Sequence, residues 1–233
     1  MRVFVLLILI LASCGGSNPE GQEAPNTMGD GDAGLAGPAP DPVPFPPGSP
    51  IVAFLGDSLA AGLHLPPDRA FPAAIQRQLA AQGLFFELRN AGISGDTSAG
   101  GLARLDWQLR QKPDVLVVEL GANDGLRGMR VSASEQNLRE ILSRTLEAGV
   151  RPLLLGMRVP PSLGQDYAEE FASMYPKLAE EFEVPCVPFF IEGVGGVPEL
   201  NLPDGLHPTP EGHERIARNV APALTEILTD LAR

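Results

Sequence analysis

Apolar residues follow two alternating patterns from residue 51 to the end of the chain. Short runs rich in aliphatic and aromatic side chains predict five β-strands, at Ile51–Leu55, Phe85–Asn90, Val115–Leu120, Leu153–Met157 and Val184–Phe189. Longer segments with apolar residues at helical spacing predict helices near 70–82, 98–111, 132–149, 166–182 and 210–232. This alternation predicts an α/β fold in three layers (α/β/α), with a five-stranded parallel sheet between two layers of helices.

Local signals refine the predicted helices. Ser132 and Glu135 have the spacing of a capping box, which predicts a helix start at Ser132. Thr209 followed by Pro210 predicts the start of the last helix, with Thr209 as N-cap. Pro176 lies inside the fourth helical pattern, so we expect that helix to be kinked or split.

The start of the chain departs from this alternation. Residues 3–11 form an uninterrupted apolar run of nine residues behind Arg2. A membrane-spanning helix needs about 20 residues, so the run is too short to cross a bilayer, but it suits the hydrophobic part of a secretory signal. We therefore expect residues 1–13 to be a signal peptide that is removed on export.

The end of that run, Leu-Ala-Ser-Cys-Gly at 11–15, resembles the lipobox of bacterial lipoproteins. The resemblance implies that Cys14 is lipidated, becomes the N-terminus and anchors an exported protein to a bacterial membrane. Gly15 stands where an inner-membrane retention signal has Asp, so the expected location is the periplasmic face of the outer membrane. The alternative is an ordinary signal peptide that happens to contain a cysteine.

Residues 14–50 have the composition of a tether. From Gly15 to Pro50 the chain contains eight Gly and nine Pro, five acidic residues and no basic one. Apolar side chains are too sparse there to offset the entropy lost on ordering, so we expect a disordered linker. The remaining residues, 51–233, have the length of a single domain.

Composition excludes several classes of partner. The chain carries 29 acidic against 17 basic residues, a net charge of −12, and would be repelled by the phosphates of nucleic acid. It has two cysteines, no His-Glu-x-x-His motif and no phosphate-binding glycine loop, so no cofactor and no metal is expected. We expect a monomer that acts on a small-molecule substrate.

Polar residues follow the predicted strands at their carboxyl ends, where ligands bind in parallel sheets. Ser58, in Gly-Asp-Ser-Leu after the first strand, is placed at a tight strand-to-helix turn that suits a nucleophile. Gly95 and Asn123, after the second and third strands, are candidate hydrogen-bond donors to a substrate oxygen. Each fragment alone is also ordinary turn or helix-cap chemistry, with Ser58 itself a possible N-cap.

A fourth fragment precedes the last helix. His207 in Asp-Gly-Leu-His-Pro has a carboxylate, Asp204, three residues earlier in the same loop. A catalytic histidine needs a partner at its second ring nitrogen, and Asp204 can supply one. Together the four fragments provide a nucleophile, a base, a group that orients the base and donors for a developing oxyanion.

The four fragments resemble the conserved blocks of the SGNH (GDSL) hydrolases, in their order and spacing, over essentially all of 51–233. The segments 94–105, 118–128 and 175–179 further resemble the thioesterase I, lysophospholipase and arylesterase subgroup. The resemblance implies a flavodoxin-like three-layer fold and hydrolysis of acyl esters without a metal.

The resemblance also implies a role for each residue. Ser58 is the nucleophile, His207 is the general base and then general acid, and Asp204 orients His207. The backbone N–H groups of Ser58 and Gly95 and the side chain of Asn123 form the oxyanion hole.

Three further residues are expected outside the catalytic group. His64 follows the nucleophile turn and is interpreted as a loop histidine, although it lies near enough in sequence to line the pocket. His213, in the first turns of the last helix, is expected to be structural or exposed. Cys186, within the predicted fifth strand, is expected to be a buried packing thiol.

The leading hypothesis is a lipid-anchored serine esterase for acyl esters or thioesters, including lysophospholipid-like substrates. Removal of O-acetyl groups from polysaccharide by the same site is an alternative, which would require an open polar groove. A non-catalytic surface-binding lipoprotein is a third, and a degenerate site would be its signature.

Overall fold

The structure is a computed structural model that describes residues 41–233. The predicted signal peptide, the predicted lipidation site Cys14 and residues 15–40 of the predicted tether lie outside the described residues. The described part falls within one compact unit. In it, no helix is both long and apolar enough to cross a membrane.

The described residues contain five strands that form one parallel sheet in the order β2-β1-β3-β4-β5. The strands are β1 (Ile51–Gly56), β2 (Glu87–Gly92), β3 (Val115–Glu119), β4 (Arg151–Leu155) and β5 (Cys186–Val187). The central strands β1 and β3 are buried almost throughout, as their uninterrupted apolar runs require when helices cover both faces. The predicted α/β fold and its five-stranded parallel sheet are confirmed.

Helices cover both faces of the sheet. They are α1 (Ser58–Ala61), α2 (Phe71–Ala80), α3 (Ser98–Arg110), α4 (Ala122–Leu126), α5 (Val131–Glu147), α6 (Gln165–Phe182) and α7 (Pro210–Leu231). One layer contains α2 packed along α7, and in the other α5 packs against both α3 and α6. Helices α1 and α4 are single turns that follow β1 and β3.

The strand order places a crevice where the site is expected. The chain leaves β1 for the neighbouring edge strand β2 and then returns past β1 to form β3 on the opposite side. At such a reversal the loops beyond the carboxyl ends of the strands diverge and leave room for a ligand. The first turns after β1 and β3, which carry Ser58 and Asn123, flank this crevice.

One predicted local feature is wrong, one is wrong in part and one is confirmed. Helix α5 begins at Val131 with Arg130 as N-cap and no side-chain cap, so Ser132 already lies inside the first turn and forms no capping box with Glu135. Helix α6 runs continuously through Pro176, so the split is wrong, while the kink, the other expected outcome, stays a prediction. The start of α7 is as predicted, since the Thr209 side chain accepts a hydrogen bond from the N–H of Gly212 at 3.2 Å.

The fifth strand is shorter than predicted. It consists of Cys186 and Val187 alone, because the chain turns away from the sheet after Val187. Since β5 is an edge strand, Cys186 is half-buried; it packs against the core as predicted but is less buried than expected. Partial burial raises the pKa of the thiol to about 11, so the thiol stays protonated at neutral pH.

Candidate active site

Ser58 occupies the first position of α1, directly after β1. Asp57 is the N-cap of this helix, and its Oδ1 accepts a hydrogen bond from the N–H of Leu59 at 2.9 Å. The first N–H groups of a helix have no partner within it, so the N–H of Ser58 is free to bind a substrate oxygen. Only glycine fits at position 56, because a Cβ there would lie 2.5 Å from the Glu119 carboxylate and 2.6 Å from the Cβ of Ala60.

A continuous hydrogen-bonded series links Ser58, His207 and Asp204. The Oγ of Ser58 lies 3.0 Å from Nε2 of His207, and Nδ1 of His207 lies 2.6 Å from Oδ2 of Asp204. Residues 149 positions apart in the chain therefore meet through the loop before α7. This arrangement allows the imidazole to accept the hydroxyl proton while the carboxylate holds its other N–H.

The loop that carries Asp204 and His207 is held in shape by hydrogen bonds between its own residues. Oδ1 of Asp204 accepts hydrogen bonds from the N–H of Leu206 at 2.9 Å and of His207 at 3.0 Å. The N–H of Leu202 donates to the carbonyl of His207 at 2.7 Å, which closes the loop. The imidazole of His207 is thus positioned by hydrogen bonds within residues 202–207 and by its contact with Ser58.

Asp204 remains ionised at neutral pH. Partial burial alone would raise the pKa of its carboxyl group, but the hydrogen bonds from the backbone and side chain of His207 and from the N–H of Leu206 outweigh this effect. The pKa is lowered to about 2 as a result. A full negative charge therefore faces the imidazole whenever it takes up a proton.

A pair of buried carboxyl groups lies on the inner side of the nucleophile turn. Asp57 and Glu119 are each 1% exposed, and Oε2 of Glu119 accepts hydrogen bonds from the N–H groups of Asp57 at 3.0 Å and Ala60 at 3.2 Å. Burial raises the pKa of Asp57 to about 6, and burial together with the charge of Asp57 raises that of Glu119 well above its usual range. Both shifts disfavour the state in which the two carboxyl groups are ionised together.

Asn123 is tied to this buried pair. It lies in the single-turn helix α4, and its Nδ2 donates to Oδ2 of Asp57 at 3.0 Å. Asp57 thereby connects the helix that carries Ser58 to the side chain on the opposite wall of the crevice. The amide plane of Asn123 is fixed by this contact, and Asn123 lines the same cleft as Ser58 and His207.

Gly95 lies in the turn after β2 with a φ of +79°, a conformation that favours glycine. Its carbonyl accepts a hydrogen bond from Arg127 at 3.0 Å. The same turn is held against β1 by Arg104, which donates to the Asp96 carboxylate at 2.7 Å and to the carbonyl of Gly56 at 2.9 Å. Gly95 is not among the residues that line the cleft around Ser58.

The cleft beside Ser58 has a volume of about 440 Å³. It receives Ser58 and Asn123 from the turns after β1 and β3 and His207 from the loop before α7, and its polar lining is completed by residues that include Arg158 and Asn201. The guanidinium of Arg158 stacks on the ring of Phe189 at 4.9 Å. Most of the lining is apolar, from Leu59, Ala122, Leu126, Met157, Val159, Pro160, Phe189, Ile191 and Leu206.

The remaining histidines have distinct environments. His213 is 1% exposed, and its Nδ1 accepts a hydrogen bond from the N–H of Phe71 at 3.1 Å, which makes it structural, one of the two expected outcomes. Burial lowers the pKa of His213 to about 4. His64 is exposed on the turn after α1, as expected of a loop residue, but its ring meets that of His207 edge to face at 5.7 Å.

Residues 54–215 match the model of the GDSL-like Lipase/Acylhydrolase family. The chain belongs to this family. It is similar to Esterase TesA of Pseudomonas aeruginosa, with 43% identity over 175 residues that cover 75% of this chain and 87% of the relative. It is equally similar to Thioesterase 1/protease 1/lysophospholipase L1 of Escherichia coli, with 43% identity over 176 residues that cover 75% of this chain and 83% of the relative.

Solved structures of GDSL family members agree with the fold. The crystal structure of TesA superimposes with a TM-score of 0.73 at 42% identity, covering 76% of this chain and 99% of that chain. The resemblance to SGNH (GDSL) hydrolases noted from the sequence motifs is confirmed, together with the relation to esterases and thioesterases.

Sequence reasoning missed Glu119 and the positioning role of Asp57. Glu119 ends a strand whose other residues are all apolar and buried, and an acid at the end of such a run must find partners inside the fold. That isolated charge within an apolar run was the available signal. Its partners, the N–H groups of Asp57 and Ala60, lie about 60 residues away and are not evident from spacing.

Proposed function

We propose that the protein is a serine esterase that hydrolyses acyl esters and thioesters through an acyl-serine intermediate. The observation that carries the proposal is the hydrogen-bonded series from Ser58 Oγ through both ring nitrogens of His207 to Asp204, at the edge of an apolar cleft. Esterase and thioesterase relatives at 43% identity support the same reaction class.

In the proposed first step, Oγ of Ser58 attacks the acyl carbon while Nε2 of His207 takes the hydroxyl proton. The resulting imidazolium lies against the ionised Asp204, which stabilises it. His207 then gives this proton to the departing alcohol or thiol, and the acyl group remains on Ser58. In the second step a water attacks the acyl carbon, His207 accepts the water's proton and returns it to Oγ of Ser58, and the carboxylic acid leaves.

The negative charge that develops on the acyl oxygen needs donors on one side of the attacked carbon. We assign this role to the N–H of Ser58, the N–H of Gly95 and Nδ2 of Asn123. The fixed position of Asn123 against Asp57 supports its part, because a donor held in place needs no reorganisation as charge develops. Gly95 has no side chain that could keep a substrate oxygen from its N–H, and its φ of +79° is one that glycine adopts readily.

The apolar lining of the cleft favours acyl chains over acetyl groups on polysaccharide. Leucine, methionine, valine and phenylalanine side chains account for much of the wall, whereas a polysaccharide groove would present more polar groups and aromatic platforms. A volume of about 440 Å³ also exceeds what an acetyl group fills. We therefore propose medium acyl chains, lysophospholipid-like esters included, as the substrate class.

Hydrolysis of p-nitrophenyl esters from C2 to C16 tests this function, with the Ser58→Ala variant as control. We expect turnover that peaks beyond C2 and is lost in the variant. A profile that peaks sharply at C2 would favour the deacetylase instead. A wild-type protein inert toward every ester would contradict the proposal and favour the non-catalytic binding protein.

We further propose that Cys14 is lipidated and that the protein is an exported monomer, anchored to the periplasmic face of the outer membrane through residues 14–50. The apolar run at 3–11, the small residues before Cys14 and the Gly- and Pro-rich composition of 15–50 support this. Expression with a radiolabelled fatty acid tests it. Label should enter the wild type and not a Cys14→Ala variant, and an unlabelled wild type would contradict the anchor.

A further inference from the structure

Three side chains of types that can bind a metal ion lie together, and two of them, Asp204 and His207, belong to the proposed catalytic residues. His64, Asp204 and His207 each present a ligand atom, and these three atoms lie within 4.8 Å of one another. The side chains of His207 and Asp204 are 18% and 35% exposed, and His64 is exposed on the turn that follows α1. An ion in solution can therefore reach all three.

The backbone holds His64 close to the catalytic residues. Its φ is +69°, in the left-handed region that few non-glycine residues adopt, and its ring contacts that of His207 at 5.7 Å. Two hydrogen bonds tie this turn to the nucleophile helix, from Leu63 N–H to the carbonyl of Ser58 at 3.0 Å and from Leu65 N–H to the carbonyl of Gly62 at 2.9 Å. His64 is thus placed beside His207 by the same turn that places Ser58.

Two imidazoles and one carboxylate are ligand types that Zn²⁺ prefers. Zn²⁺ holds such ligands at about 2.0–2.2 Å, which corresponds to about 3.5 Å between ligand atoms in a tetrahedral site. Starting from separations of at most 4.8 Å, modest rotations of partly exposed side chains are enough to close the group around an ion. A water molecule or the Ser58 hydroxyl would take the fourth position.

We propose that His64, Asp204 and His207 form an inhibitory Zn²⁺ site. The proposed reaction uses no metal. An ion bound here would block it, whichever ring nitrogen of His207 is the ligand. Coordination through Nε2 removes the atom that takes the proton of Ser58. Coordination through Nδ1 places Zn²⁺ where the Nδ1 proton lies against Asp204, and that proton is released to solvent. In both cases His207 no longer acts as a base.

His64 is the residue that separates this proposal from general metal inhibition. It takes no part in the proposed acyl transfer, so it can be changed without removing a catalytic group. Asparagine and aspartate both tolerate a left-handed backbone and have nearly the same shape. Only the aspartate offers a carboxylate to Zn²⁺, so His64→Asn removes the ligand and His64→Asp replaces it.

The test measures ester hydrolysis by the full chain, without a histidine tag, in buffer from which metal ions have been removed and to which Zn²⁺ is then added. We expect inhibition by micromolar Zn²⁺ that is reversed by a chelator. The half-inhibitory concentration should rise about tenfold or more in His64→Asn and much less in His64→Asp, each compared with its own metal-free activity. Equal sensitivity of wild type and His64→Asn, or no inhibition of the wild type, would overturn the proposal.

Calorimetric titration of Zn²⁺ into the Ser58→Ala variant tests the site without relying on activity. One Zn²⁺ per chain should bind, and combining Ser58→Ala with His64→Asn should weaken this binding about tenfold or more. Binding that is unaffected by the His64 substitution would place the ion elsewhere and overturn the proposal. If the wild type proved inactive on esters, this titration would still decide the metal site independently of the proposed function.

Discussion

Two aspartates belong to the site around Ser58, one beside it in the chain and one behind His207, and their environments shift their pKa values in opposite directions. Asp204 lies in a partly exposed loop and accepts hydrogen bonds from three donors, which lower its pKa to about 2. Asp57 lies beneath the nucleophile turn beside Glu119, and burial raises its pKa to about 6. The same type of residue is thus held ionised at Asp204, whereas at Asp57 its ionisation is disfavoured.

The two aspartates have different roles in the site. Asp204 supplies a negative charge, and Asp57 with Glu119 holds the nucleophile turn and Asn123 in position. The outer carboxylate can stay ionised because solvent and three donors stabilise it, so it can stabilise an imidazolium. The inner carboxyl pair carries less charge than two ionised acids would, but it connects the N–H groups of the nucleophile turn to the amide of Asn123. We therefore expect outer substitutions to affect the chemical step most and inner substitutions to affect both stability and the oxyanion donors.

The largest effect is expected for Asp204→Asn. The variant loses the charge that faces the imidazolium and can hold His207 in the wrong tautomer, so kcat should fall by about 10⁴-fold. Stability should fall modestly, because the lowered pKa of Asp204 shows that its charge stabilises the loop, while the Oδ1 of asparagine can still accept the two backbone N–H groups. Steady-state kinetics with thermal unfolding checks both, and Asp230→Asn, at an exposed acid in the last turn of α7, is the matched control. Retention of a tenth of the activity would contradict the role of Asp204.

The next effect is expected for Asn123→Ala. Removal of one oxyanion donor should lower kcat by about 10²–10³-fold, with little change in KM because the donor acts mainly in the transition state. Measured kcat and KM on one ester distinguish this from a loss of substrate binding. A rise in KM at constant kcat would show that Asn123 binds the ground state instead.

The inner pair is tested by two substitutions at one position. Glu119→Ala leaves the N–H groups of Asp57 and Ala60 without their acceptor in the buried interior, which should cost about 2–5 kcal/mol of unfolding free energy. Glu119→Gln keeps an oxygen for those donors and an N–H group toward Asp57, so it should cost about 1 kcal/mol or less. Denaturant unfolding of both variants provides the comparison. Equal destabilisation would show that Glu119 acts as a charge and not as a hydrogen-bonding group.

The smallest effect concerns pH. The raised pKa of Glu119 means that the folded protein keeps a proton that the unfolded chain releases above about 4.5. The unfolding free energy should therefore fall as pH rises above this value. His213, with its pKa lowered to about 4, has the opposite effect below pH 6.5 but contributes equally to the wild type and to Glu119→Gln.

The difference in unfolding free energy between the wild type and Glu119→Gln reports on the Asp57–Glu119 pair alone. Glu119→Gln should become more stable relative to the wild type as pH is raised from about 4.5 to 8. The measurement is chemical denaturation of both proteins over this range. A difference that is independent of pH would show that Glu119 has an ordinary pKa in the folded protein.

The alternation of strands and helices made the fold predictable from the sequence, because buried parallel strands need continuous apolar runs and their crossover helices need one apolar face. Strand ends were less predictable, as β5 shows. Its apolar pattern continues to Phe189, but Phe189 and Ile191 line the cleft and do not extend the sheet. An apolar run alone does not distinguish a strand from the wall of a pocket.

The candidate site was predictable to the extent that its residues lie in short motifs. Ser58, Gly95, Asn123, Asp204 and His207 each follow a predicted strand or precede the last helix. Contacts between distant segments were not predictable in this way, since neither the Glu119 contact with the nucleophile turn nor the approach of His64 to His207 has a local signal. The capping box predicted at Ser132 fails for another reason: the helix begins at Val131, one residue earlier, and Glu135 forms ion pairs with Arg139 and Lys177.

The role of Ser58 as nucleophile is tested most directly by identifying the residue that forms the covalent intermediate. The full chain would be treated with a fluorophosphonate, which reacts with activated serine hydroxyls, and the modified peptide would be identified by mass spectrometry. We predict one phosphonyl group per chain, on Ser58, formed in step with the loss of esterase activity and absent from His207→Ala. Labelling of another residue, or full activity after Ser58 is modified, would contradict the central claim.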